Sequence, residues 1–259
     1  MTVQQICNWL NDFAPFDTAE SFDNVGLLIG SPNAEVHTVV FGMDITEELV
    51  KEAIANGAEL IISHHPFIFH ALKRINYHGP QGRTMQLLMK HGINVIAAHT
   101  NYDKAPGGIC DSLASILELQ DIFTCDEYVR VGKLPTPLSP AELAAHIRGA
   151  LHTESRYYAA SDERITHVAV SGGAYGEGYE AALAAGAQAY VVGEIAHHEI
   201  LDAYARGITI YDAGHYPTEW PGVVSLYQRF LADAATSNWD VQAHLHQLVP
   251  YAGALLPSE

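Results

Sequence analysis

GAELIISHH (57–65) and GAQAYVVGE (186–194) decide how this chain is read. Each opens on a glycine that follows an amphipathic stretch, runs through a short apolar segment and ends in polar groups. A glycine that closes a helix and leads into such a run marks a helix end followed by a buried strand. A second glycine-led pair follows, GINVIAAH (92–99) and GITIYDAGH (207–215). Four residues beyond His99 and His215 stand Asp103 and Glu219, so both pairs are offset by the same 116 positions (215 − 99 and 219 − 103). An ordered series of matches between the two halves is the mark of internal duplication. The repeated unit is strand–helix–strand–helix–strand, and residues 66–80 are an insertion in the first copy.

Working outward, the first copy reads as strands at 36–43, 59–63 and 93–98, with helices at 46–56, 81–91 and 108–118. The second reads as strands at 165–171, 188–192 and 208–212, with helices at 177–185, 197–206 and 218–234 and a last strand at 240–246. Helix-length gaps between strands imply crossover connections and mainly parallel sheets. The expected fold is therefore α/β, with two similar lobes flanked by helices. The proline-rich KLPTPLSP (133–140) reads as the join, which gives lobes at 1–130 and 131–259.

The chain has 259 residues, with 13 Lys and Arg against 30 Asp and Glu and a formal charge of −17. So acidic a molecule repels phosphate backbones at long range, which argues against general nucleic-acid binding. There is no apolar run long enough to span a membrane and no basic-then-apolar leader pattern. Cys7, Cys110 and Cys125 are odd in number and lack CxxC spacing, which suits a reducing compartment; a cytoplasmic protein is expected. The unusual quantity is 15 histidines, more than all the Lys and Arg together.

The polar clusters follow predicted strands, where open parallel sheets place their ligands. His64 and His65 follow one strand, His99 and Asp103 another, His215 and Glu219 a third. Neighbours on a strand face opposite ways, so His64 and His65 share a site only if the strand ends there, and Pro66 supplies the reason. The His-x3-carboxylate spacing places both groups on one face of a helical turn. Imidazoles with carboxylates suit Zn, Fe, Mn, Co or Ni. Six ligands exceed one tetrahedral ion but suit two ions about 3.5–4 Å apart. Two divalent transition-metal ions per subunit are expected, held between the lobes.

FDNVGLLIG (22–30), SHHPFIF (63–69), AAHTNYDKAPGG (97–108), VGEIAHHE (192–199) and DAGHYPTE (212–219) together resemble the Nif-three-like family. Its bacterial members carry the name GTP cyclohydrolase I type 2 homologue, or dinuclear metal-centre protein. The resemblance spans nearly the whole chain. It implies metal ligands at His64, His65, Asp103, His215 and Glu219 with His99 beside them, and a homohexamer with its sites facing a cavity. It also implies the compact form of the family, without the domain that longer relatives insert between the halves. The chain departs at Cys110, where relatives often have Asn, and at His70, where Lys is common.

Glu194 and His198, just past the strand at 188–192, are candidates for proton transfer or for supporting a metal ligand. In SGGAYG (171–176), Gly172 and Gly173 either cradle a phosphate with their amides or form a tight turn. Asn24 either orients a ligand or serves as a turn amide, and Cys110 reads as a small packing residue. The expected function is a dinuclear metal-dependent hydrolase acting on a nucleotide or similar phosphorylated small molecule. The resemblance suggests hydrolysis at C8 of GTP with release of formate. The alternatives are a metal-dependent phosphoesterase and a non-catalytic metal-binding adaptor.

Overall fold

The computed structural model describes residues 1–247 and divides into two compact units. Of the described residues, one comprises Met1–Pro106 and 223–247, the other Gly107–Gly222. Residues 248–259, which close the expected second lobe, lie outside the described residues. No described helix is long and apolar enough to cross a membrane.

The first unit contains α1 (Val3–Phe13), β1 (Gly26–Ile29), β2 (Thr38–Gly42), α2 (Glu47–Ala55), β3 (Leu60–Ser63), α3 (Pro80–His91), β4 (Asn94–Ala97) and α4 (Thr100–Lys104). Its sheet runs β1-β4-β3-β2 and then a late strand, Gln242–Leu245, which pairs parallel to β2. Strands β2, β3 and β4 are parallel, whereas β1 is antiparallel to β4. Gly42 lies beside Ser63, and Ser63 beside Ala97, so the three parallel strands end on one row. Thr46 caps α2 by accepting from the Leu49 amide at 3.1 Å. At its other end Gly57 takes φ +66°, a left-handed turn that costs glycine little, and the Ala58 amide reaches back to Ala53 O at 2.9 Å. That local reversal feeds the chain straight into β3 and is why a glycine precedes the strand. Val40, Leu49, Val50, Ile61, Leu88 and Val95 form the core on the α2–α3 side. The alternating Phe41 faces the other way, against Phe230 at 5.2 Å between ring centroids. Trp9 of α1 also packs on Phe230 and donates to Asp233 at 2.9 Å.

The second unit contains α5 (Ile109–Ile116), β5 (Gln120–Asp126), β6 (Val129–Leu138), α6 (Pro140–Leu151), β7 (Arg156–Tyr158), β8 (Ile165–Val170), α7 (Tyr179–Ala184), β9 (Ala189–Val192), α8 (His197–Ala205) and β10 (Thr209–Asp212). Helix α9 (His215–Ser237) begins in this unit, and the division at 222/223 falls within it. The late strand is β11. The sheet order is β5-β6-β8-β9-β10-β7, and only β8–β9 and β9–β10 are parallel. The three central strands repeat the arrangement of β2, β3 and β4, as the duplication requires. The antiparallel additions at both edges come from residues 120–158, where the connection between β5 and β6 is too short for a crossover.

Residues 133–140 are therefore not a linker. Pro135 and Pro137 fall where the β6–β8 register slips between Lys133 and Leu138, beyond the β5 pairing that ends at Lys133. A residue without an amide is tolerated there. Pro140 takes the first turn of α6, behind a capping box made by Ser139 and Glu142.

Candidate metal centre

In the first unit the chain continues past the row of strand ends into its polar residues. The His64 amide donates to Gly42 O (3.2 Å) and the His65 amide to Met43 O (3.0 Å), after which Pro66 ends the pairing. His64, His65 and His99 gather with ring centroids 5.1–5.6 Å apart, and one ligand nitrogen from each lies within 4.8 Å of the others. The Asp103 amide donates to His99 O at 2.9 Å, the single helical turn that the spacing predicts. Asp103 Oδ1 stands 3.5 Å from His64 Nε2.

The orientation of the rings is as informative as their proximity. His64 Nδ1 donates to Ala98 O at 2.8 Å, His65 Nδ1 to Asp44 Oδ1 at 2.7 Å, and His99 Nδ1 to Asp23 Oδ1 at 3.0 Å. A carbonyl or carboxylate oxygen only accepts, so each Nδ1 carries a proton, and in the neutral ring Nε2 is the nitrogen left to bind a cation. Ligating histidines are held in this way, with the second nitrogen donating to an oxygen that fixes the tautomer and raises the ligand's basicity.

Asp23 is the most committed of these supports. Its side chain is wholly buried and also accepts from the Asn24 and Thr100 amides and the Thr100 hydroxyl. Burial pushes its carboxyl pKa up, but the hydrogen bonds from His99 and Thr100 outweigh this and hold it at about 2.

The second unit repeats the device. His215 Nδ1 donates to Glu194 Oε1 at 2.9 Å, and His215 Nε2 lies 3.2 Å from Glu219 Oε2 one turn further along α9. Two ligand atoms each about 2.1 Å from one tetrahedral ion sit about 3.4 Å apart. The His64–Asp103 and His215–Glu219 separations both fit two donors on one cation.

Glycines make room for the second cluster. Gly173 has φ +61°, and a Cβ there would overlap Glu219 Oε1 and approach His215 Nε2 at 3.4 Å. A Cβ on Gly193 would stand 2.9 Å from His215 Cα. The Gly173 amide donates to Thr218 Oγ1 at 3.1 Å, and Gly173 O accepts from the Glu194 amide at 2.9 Å. The turn thus seats α9 and Glu194, and the Gly173 amide is spent internally instead of facing a phosphate. A Cβ on Gly172 would press on Ile109 Cγ2 at 2.5 Å and on Glu219 Cγ at 3.2 Å, the same packing demand.

Other expected residues have other surroundings. Asn24 donates to Ile68 O at 2.5 Å and so ties the 66–80 segment down. His198 is exposed at the start of α8, and His70 is exposed beside Phe69. Cys110 is buried with its thiol 3.1 Å from Tyr128 O, a packing position. Asp23 and Asp44 were not signalled by the sequence. Asp44 lies just past the end of β2 and Asp23 directly precedes Asn24, so a carboxylate search at every strand end would have reached the first.

Residues 1–250 match the model of the family described as Duf34/NIF3 (NGG1p interacting factor 3). A Clostridium perfringens protein named GTP cyclohydrolase 1 type 2 homolog is 32% identical over 238 residues, covering 88% of this chain and 91% of that one. A Streptomyces coelicolor protein of the same name is 31% identical, over 95% and 92% of the two chains. Among solved structures, a Bacillus cereus protein related to NIF3 superposes with a TM-score of 0.92 at 22% identity, over 96% and 97% of the chains. The Staphylococcus aureus hypothetical protein SA1388 does so with a TM-score of 0.91 at 28% identity, over the same shares. This chain belongs to the Duf34/NIF3 family.

Proposed function

We propose that the protein is a metal-dependent hydrolase acting on a nucleotide or similar phosphorylated small molecule. In this reading His64, His65, Asp103, His215 and Glu219, with His99 beside them, hold two divalent transition-metal ions. The observation that carries it is the shared orientation of four imidazoles, each with Nδ1 tied to an oxygen and Nε2 presented. When bound, such ions supply Lewis acidity and a water whose pKa falls to about 7. The chain's own contribution is positional: Asp23, Asp44 and Glu194 fix three rings, and Ala98 O fixes the fourth. Glu194, committed to His215, is a positioning residue, which leaves the exposed His198 as the candidate for moving a proton. Homohexameric assembly in the cytoplasm belongs to the same reading.

The name carried by the relatives makes GTP the first substrate to test. Metal-loaded protein is expected to release formate from GTP, and His198→Ala is expected to slow that release without changing the metal content. Phosphate release without formate would redirect the assignment to a phosphoesterase. Bound metal with no turnover of either kind would overturn the hydrolase and leave a metal-binding adaptor.

A further inference from the structure

Residues 60–102, which hold His64, His65 and His99, contain none of the chain's 30 Asp and Glu. They contain four of its 13 Lys and Arg, namely Lys73, Arg74, Arg83 and Lys90. In a molecule of net charge −17 this stretch of sequence is locally cationic, although the carboxylates of Asp23, Asp44 and Asp103 stand against the imidazoles themselves. Arg83 is engaged with Glu47. Lys73 and Arg74 lie on the loop between β3 and α3, are exposed, and form no ion pair among the described residues.

The same loop is anchored beside the imidazole cluster. The Phe69 ring meets the His99 ring edge-on at 6.0 Å, and the Phe22 ring meets Phe69 at 6.3 Å. Phe22 is 64% exposed although it directly precedes the buried Asp23 that holds His99. The Asn24 bond to Ile68 O and the Gln81 bond to Phe67 O (3.1 Å) fix the root of the loop. Lys73 and Arg74 are four and five residues beyond Phe69, so their backbones lie at most about 14 and about 18 Å from it along the chain. A large aromatic left in water beside such a cluster is a platform for a flat ring.

We infer that the 66–80 loop, together with Phe22, is the substrate-recognition element: Phe22 and Phe69 take the planar ring of a nucleotide, and Lys73 and Arg74 take its phosphates. The inference rests on the proposed metal centre for its location. It also accounts for how so acidic a chain accepts an anion, since charge-assisted hydrogen bonds from Lys and Arg offset the unfavourable overall field.

The test is calorimetric titration of manganese-loaded full-length protein with three probes: GTP, guanosine and inorganic pyrophosphate. Lys73→Ala/Arg74→Ala is expected to weaken GTP and pyrophosphate by about tenfold or more and guanosine by less than about twofold. Phe22→Ala is expected to weaken GTP and guanosine by about tenfold while pyrophosphate is unchanged. All three side chains are exposed, so the variants should melt like the parent, and a melting curve on each sample verifies it. Equal binding of every probe by parent and variants, or no binding by the parent, would overturn the inference. Metal content measured on the same samples reports the centre separately. Protein that takes up no metal but binds pyrophosphate through Lys73 and Arg74 would defeat the centre and keep the loop assignment.

Discussion

Asp23 shows how a support residue outranks its visibility. A wholly buried carboxylate is costly unless its oxygens are satisfied, and here four donors from His99, Thr100 and Asn24 satisfy them. Asp23→Asn, which keeps the shape but loses the charge, should weaken metal binding by about 10–100-fold, read by competition with a chelator. An unchanged affinity would mean that His99 needs no fixed orientation. Two glycines with left-handed backbone provide a contrast. A methyl group on Gly57 would meet nothing within 4 Å, so Gly57→Ala should cost about 1 kcal/mol of stability and leave metal content alone. Gly173→Ala should cost more, roughly 1–3 kcal/mol, and also displace Glu219 and lower metal content. Denaturant melts and metal analysis on both variants separate the two roles.

At the scale of elements, the decisive feature is the common row at which β2, β3 and β4 end, because it brings Asp44, His64, His65 and His99 to one edge. Its register is held partly by Glu59, whose carboxylate accepts from the His37 and Thr38 amides at 3.0 and 2.9 Å. Burial raises the Glu59 pKa, but those two amides lower it further and leave it below its ordinary 4.5. A depressed carboxyl stabilises the fold above its unfolded value and loses that contribution as pH falls through the folded value. Melting temperature should therefore drop below about pH 4.5 more steeply in the parent than in Glu59→Gln, which should melt lower at neutral pH. Equal slopes would remove Glu59 from the acid limb. The elements legible in the sequence were those with strong signals of their own: glycine-led strands and amphipathic helices. Helix α1 has such a stripe in Val3, Ile6, Cys7 and Leu10 yet was not among the elements read, and β5, β6 and β7 have exposed or proline-broken patterns that only their partners explain.

For the whole molecule, metal and fold are expected to be linked, because the proposed ligands lie in sequence from His64 to Glu219 and each must be deprotonated to bind. A ligand at a hundredfold excess over its Kd stabilises by about 2.7 kcal/mol. For a chain of this size that raises the melting temperature by roughly 5–10 °C. Strong chelator should reverse the gain and added manganese or zinc restore it, followed by scanning calorimetry. A melting temperature indifferent to both would argue against a centre coupled to folding.

The duplication, the α/β alternation and the six imidazole and carboxylate groups at strand ends were determined by the sequence alone, because helix caps, strand runs and one-turn spacings are local and recur in the same order in both halves. The tertiary structure decided where the units divide, at 106/107 and within α9, since that helix returns the chain to the first sheet to add β11. It also decided that Glu194 steadies His215, that Asp23 and Asp44 steady His99 and His65, and that Gly173 clears space for Glu219. Those facts depend on residues 21 to 76 positions apart meeting at hydrogen-bond or van der Waals distance, and no local pattern encodes which distant partner will arrive.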